Sequence, residues 1–134
     1  MIDHLGISVR DFDASHAFYT AVLAPLGYAP IKDVTPEMSG NGTRHAGFGR
    51  DGMPAFWIGT RTDDAVTRDG LHIAFAAASR ADVDAFHAAA LAAGARDNGP
   101  PGPRPQYHRG YYGAFVIDPD GHNIEAVCHR PEAS

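Results

Sequence analysis

The sequence predicts an α+β domain of two βαβββ modules, with mostly antiparallel sheet curled round a cleft. Three observations carry that prediction. The 134 residues match themselves at an offset of 68: His4 falls on His72, Phe18 on Phe86 and Leu23 on Leu91, with Leu5 on Ile73 and Ile7 on Phe75 as similar pairs. Each half opens on a two-residue apolar alternation and then passes to helical spacing. Fifteen glycines and ten prolines break the remainder of each half into short runs. Module one is read over 1–66 and module two over 67–130, together one domain, with 131–134 as a tail.

In the first strand Leu5, Ile7 and Val9 alternate with His4, Gly6 and Ser8, which predicts a half-buried element. Asp13 reads as a helix N-cap, Ala14, Ala17, Phe18, Ala21 and Val22 as the buried stripe, and Pro25 with Gly27 as the stop. Short β runs are expected over 28–34, 44–49 and 55–59. In the second half Leu71, Ile73 and Phe75 alternate with His72, Ala74 and Ala76. Ser79 caps a helix whose stripe is Val83, Phe86, Ala90 and Leu91, and Gly94 ends it. A short piece near Ala95 and strands over 111–117 and 123–129 complete the set. The last two are joined by the turn Asp118-Pro119-Asp120-Gly121. The stretch from Asp97 to Gly110, with four prolines, reads as a long loop, either a lid or a solvated connection.

Composition removes several function classes. A net charge of −5 without a basic run argues against nucleic-acid binding, which needs a phosphate-neutralising patch. The longest apolar stretch, around Ile73 to Ala78, is far too short to span a membrane, so no membrane partner is expected. The N-terminal residues lack the layout of a secretion signal, since Asp3, His4 and Arg10 interrupt it. A single cysteine, Cys128, cannot form an internal disulfide and suits a reducing cytoplasm.

Eight histidines turn attention to metal or acid–base chemistry. His4 and His72 project from the polar faces of equivalent strands, beside the small residues Gly6, Ser8, Ala74 and Ala76. A pseudo-twofold arrangement of the modules would bring the two imidazoles together. Glu125, alternating with Ile124 and Ala126, is costly to bury unless paired or bound to a metal, and a carboxylate complements two imidazoles in open metal sites. Each of these residues taken singly also fits a solvated side chain. His16, His45, His87, His122 and His129 read as structural or solvated. In the proline-rich stretch His108 is the candidate acid–base group. Arg104 is an anion clamp, and Tyr107 and Tyr112 offer phenols near one end of the sheet.

These motifs resemble the vicinal-oxygen-chelate superfamily of glyoxalases, bleomycin-resistance proteins and dioxygenases. The resemblance rests on His4-Leu5-Gly6-Ile7-Ser8-Val9 with Asp11, Phe18-Tyr19 and Val22-Leu23, on the His72 strand, and on Phe115-Val116-Ile117-Asp118-Pro119-Asp120-Gly121-His122-Asn123-Ile124-Glu125. It implies paired βαβββ modules enclosing a cleft, with His4, His72 and Glu125 as ligands of one divalent metal ion (Fe, Mn, Ni, Co or Zn). The metal would chelate two neighbouring oxygens of a small-molecule substrate, in lyase, dioxygenase or thiol-transferase chemistry. Trp57 stands where glyoxalase I enzymes place a fourth ligand glutamate, which argues against a two-carboxylate proton shuttle and makes Trp57 pocket wall with Tyr112. Phe115 stands where extradiol dioxygenases place a tyrosine, and Tyr111 or Tyr112 substitutes if the register differs. The resemblance also implies a homodimer, with the ligands drawn from one chain or two. A metal-free protein that sequesters a drug or metabolite is the alternative.

Overall fold

The computed structural model describes residues 1–131; the rest of the expected tail lies outside the described residues. The first half runs β1 (Leu5–Ser8), α1 (Phe12–Leu23), a 3-10 turn (Ala24–Leu26), β2 (Ala29–Val34), a one-turn helix α2 (Pro36–Ser39), β3 (His45–Arg50) and β4 (Met53–Gly59). The second runs β5 (His72–Ala76), α3 (Arg80–Ala92), β6 (Arg96–Pro103), β7 (Tyr112–Ile117) and β8 (Asn123–Cys128). Both halves therefore keep the β-α-β-β-β order. None of the described helices is long and apolar enough to cross a membrane.

The strands form two separate four-stranded sheets, in the orders β1-β4-β3-β2 and β5-β8-β7-β6. Each sheet is mixed, with its first and last strands parallel and the remaining pairs antiparallel. The parallel pairing follows from the chain path: the helix and two strands between them give the long crossover that parallel neighbours need. Ile7, Phe48, Phe56 and Ile58 of the first sheet and Ile73, Phe75, Val116 and Ile124 of the second are buried in one common core with Phe18, Tyr19, Val83 and Phe86 of the helices. Across that core the Phe56 and Phe75 rings meet edge to face at 5.3 Å. The open face of each sheet looks away from this core.

Local chemistry explains where the elements begin. Asp11, not Asp13, caps α1, accepting from Ala14 N at 3.1 Å. Asp13 sits in the first turn, where its charge complements the helix dipole. Ser79 caps α3, accepting from Asp82 N at 3.1 Å. The largest departure is β6. It takes in Pro100, Pro101 and Pro103, so half of the expected long loop is strand. It lies at the sheet edge, where missing amide donors are tolerated, and its register slips between Asp97 and Gly99 and again before Gly102.

A buried polar network ties the halves together. The Tyr19 hydroxyl donates to Asp118 Oδ2, while His122 N donates to Asp118 Oδ1 at 2.8 Å and His122 Nδ1 lies 3.0 Å from Oδ2. On its other side His122 Nε2 donates to the Thr67 carbonyl at 2.6 Å, and Thr67 N donates to Ser8 O at 3.0 Å. Burial and the Asp118 carboxylate push the Tyr19 phenol well above its ordinary pKa, keeping it a donor. The turn at 118–121 is thereby locked against α1 and the segment leading into β5.

Candidate functional site

The open face of the second sheet collects the chemistry. β5 and β8 run side by side with His72 opposite Asn123 and Ala74 opposite Glu125. His72 Nδ1 faces the Asn123 carbonyl at 3.0 Å, and a carbonyl only accepts, so that nitrogen carries the proton. Nε2 lies 3.0 Å from Glu125 Oε1. Glu125 is 2% exposed, whereas the His72 side chain is 43% exposed, so the pair has a buried and a solvent-facing end. The second carboxylate oxygen, Oε2, accepts from the Tyr111 hydroxyl. Burial, then the hydrogen bond to Glu125 and its charge, push the Tyr111 phenol far above its ordinary pKa, so it acts as a neutral donor. Phe115, opposite Glu125 on β7, stacks on the His72 ring with centroids 6.1 Å apart.

The donor set suits a divalent cation. Two ligand atoms about 2.1 Å from one ion and at right angles to each other stand about 3.0 Å apart, which is the observed spacing of Nε2 and Oε1. A ligating imidazole is normally oriented by its other ring nitrogen, here through Asn123 O. His4 is not part of this group. It lies just before β1, exposed, with Nδ1 2.6 Å from Asp3 Oδ1. Among the described residues no three His, Cys, Asp or Glu side chains come together at cation-binding spacing. One chain therefore presents two of the three expected ligands at a single place.

The other expected residues divide. Tyr107 packs edge-on to Tyr111 with centroids at 5.0 Å, and His108 does so at 5.2 Å. His108 Nδ1 donates to its neighbour's carbonyl, Arg109 O, at 2.8 Å, and its Nε2 lies 2.9 Å from His129 Nδ1. Arg104 does not project as an anion clamp. Its guanidinium donates to the carbonyls of Pro100 at 2.7 Å and Gly102 at 2.9 Å, and lies 5.6 Å from the Phe115 ring centroid. Tyr112 is not on this face either. Its hydroxyl donates to Asp84 Oδ1 of α3 at 2.7 Å, because alternation along β7 puts 112, 114 and 116 toward the helix and 111, 113 and 115 on the open face. Trp57 lies on the open face of the first sheet with Gly6, Ser8 and His45, apart from the His72 group.

His129 is the residue that sequence reasoning missed. It continues the open face of β8 two residues beyond Val127, itself two beyond Glu125, so strand alternation was the available signal. A cavity of about 750 Å³ lies elsewhere, between α1 and the α3–β6 turn. Its walls are Ala14, Ala17, Phe18 and Ile117, and the one carboxylate there, Asp118, is already engaged by Tyr19 and His122. Arg96 lines it as well, but the imidazole, carboxylate and phenol that meet one another lie on the β5–β8 face, which is therefore the candidate site.

The family model for the glyoxalase/bleomycin resistance protein/dioxygenase superfamily matches residues 1–126. The chain belongs to that superfamily. No curated protein matches it. Among solved structures, a glyoxalase/bleomycin resistance protein from Albidiferax ferrireducens T118 is 31% identical, with 96% of this chain and 97% of that one covered and a TM-score of 0.76. A glyoxylase/bleomycin resistance protein/dioxygenase domain from Frankia sp. EAN1pec is 24% identical over 97% and 98%, with a TM-score of 0.73. Glyoxalase I from Zea mays shares the fold at 19% identity and a TM-score of 0.69, and this superfamily member spans 45% of that longer chain.

Proposed function

We propose that this superfamily member is a metal-dependent enzyme acting on a small molecule through two neighbouring oxygens. The observation that carries the reading is the 3.0 Å approach of His72 Nε2 and Glu125 Oε1, with His72 Nδ1 held by a backbone carbonyl. His72 and Glu125 hold one divalent ion (Fe, Mn, Ni, Co or Zn), and His4 of a second copy supplies the third ligand in a homodimer. When bound, the ion acts as a Lewis acid that stabilises negative charge developing on the substrate oxygens. The chain's own residues do the remainder. Glu125 brings a buried negative charge that neutralises part of the ion's charge, and Phe115 stacks on one face of the His72 ring. His108, hydrogen-bonded to His129 at the solvent edge, is the group placed to exchange a proton with water. Trp57, where a fourth carboxylate would stand, supplies apolar surface and no base, which favours a three-ligand lyase, dioxygenase or thiol-transferase chemistry. Sequestration of a drug or metabolite without metal is the second reading, favoured by the fact that His72 Nε2 already has a partner in Glu125.

The test is metal analysis of the stripped and reloaded full chain, then an anaerobic screen of catechols, hemithioacetals and epoxides. We expect one equivalent of metal per wild-type chain, none in a folded His72→Ala variant, and turnover in the metal-loaded wild type alone. A wild-type protein that takes up none of the five metals yet retains a small molecule unchanged establishes sequestration instead.

A further inference from the structure

Resting on that metal reading, we propose that Tyr111 is a positioning residue that keeps Glu125 a one-oxygen ligand. Carboxylates bind cations through one oxygen or through both. Here the Tyr111 hydroxyl occupies Oε2, so the oxygen left for a cation is Oε1, the one turned toward His72 Nε2. The phenol is itself held. Tyr107, His108 and His129 pack edge-on around its ring at 5.0, 5.2 and 5.3 Å, and the two imidazoles are linked to each other at 2.9 Å. The segment between β6 and β7 therefore acts through Tyr111 as a bracket for the ligand carboxylate, not as a cover over it.

Gly113 completes the joint. A Cβ there would stand 3.1 Å from both Glu125 Oε2 and Tyr111 Cε1, so any side chain pushes one of them aside by a few tenths of an ångström. The first module has no counterpart: His45 stands where Gly113 does in the repeat, and Trp57 where Glu125 does. Tyr111 touches neither substrate nor metal in this scheme and works only through the carboxylate.

Full-length wild type, Tyr111→Phe, Gly113→Ala and His72→Ala are stripped and titrated with Co(II) and Zn(II). Affinity is read by competition with a chromophoric chelator, and coordination by the visible spectrum of bound Co(II). Tyr111→Phe keeps the ring and its packing. Loss of such an outer partner weakens metal binding about 10- to 100-fold. The freed Oε2 also raises the coordination number and dims the Co(II) absorption. Gly113→Ala shifts both readings the same way by less. Unchanged affinity in Tyr111→Phe, with metal lost in His72→Ala, overturns the assignment and leaves the metal reading standing. So does a lower thermal midpoint with an unaltered Co(II) spectrum, the mark of a merely structural tyrosine. If Tyr111→Phe does not fold, Gly113→Ala with wild-type affinity and spectrum overturns it. Wild type that binds no metal removes the metal reading, and Tyr111's role with it.

Discussion

Trp57 and Glu125 occupy the same place in their two sheets, each on a last strand running parallel to the first strand of its own half, yet they face opposite neighbours. In the first sheet Trp57 stands across from Gly47, whose Cβ would lie 3.0 Å from the indole ring. In the second, Glu125 stands across from Phe115. The bulky ring sits on the last strand in one module and on the strand beside it in the other. The exchange leaves one face filled by an indole and the other holding a buried carboxylate with an imidazole and a phenol on its two oxygens. Two modules with one strand order thus carry different chemistry because one pair of facing positions traded volume. The helices differ in a parallel way. Tyr19 of α1 reaches across to Asp118 of the other half, whereas His87, its equivalent in α3, lies 3.1 Å from Asp97 of its own half.

Four substitutions, in three experiments, break or sharpen that comparison. His122→Ala leaves Asp118 Oδ2 and the Thr67 carbonyl each short of one partner in the network joining the halves, and a buried polar group so deprived costs about 1–3 kcal/mol. Urea unfolding should show that loss. A change below about 1 kcal/mol would mean the halves are held by the apolar core alone. Next, Gly47→Ala forces a methyl against the Trp57 ring and Pro54 Cβ, and overpacking of this kind costs about 1–3 kcal/mol. A paired Trp57→Ala should recover the loss by double-mutant cycle, and additive effects would refute the contact. The smallest effect belongs to Asp97, held below the usual carboxylate range by the Gly99 backbone N–H first and by His87 second. Because its folded pKa is lowered, the stability it contributes is complete above its unfolded pKa of about 3.9 and is lost as the pH falls toward the folded value. The stability difference between wild type and Asp97→Asn should therefore shrink below about pH 4. A gap that widens in acid would reverse the sign assigned to the Gly99 and His87 contacts.

Much of the fold was legible because the repeat and the alternation are both statements about which side chains must leave water. Leu5 and Ile7, Ile73 and Phe75, and the stripes of α1 and α3 place the elements by that requirement alone. β6 was not legible in the same way. Its prolines read as a loop, and only an edge position, where no neighbour needs their amides, lets them stand in a strand. Tyr112 and Arg104 went astray for a related reason. A phenol or guanidinium signals chemistry by type, but a shift of one residue in strand phase turns Tyr112 to α3 and leaves Tyr111 on the open face. Arg104's donors were claimed by the carbonyls of its own bend.

By itself the sequence determined the α+β class, the order of elements in each half and the outward setting of His72 and Glu125. These depend on patterns spanning a few residues and on the solvent preference of each side chain. Tertiary structure alone decided that the strands make two sheets over one shared core, that His4 stays apart from His72 within a chain, and that Tyr111 and His129 gather at Glu125. Those outcomes depend on which distant surfaces exclude water together and on hydrogen bonds across strands far apart in the chain. A local pattern carries no information about either until the core has closed.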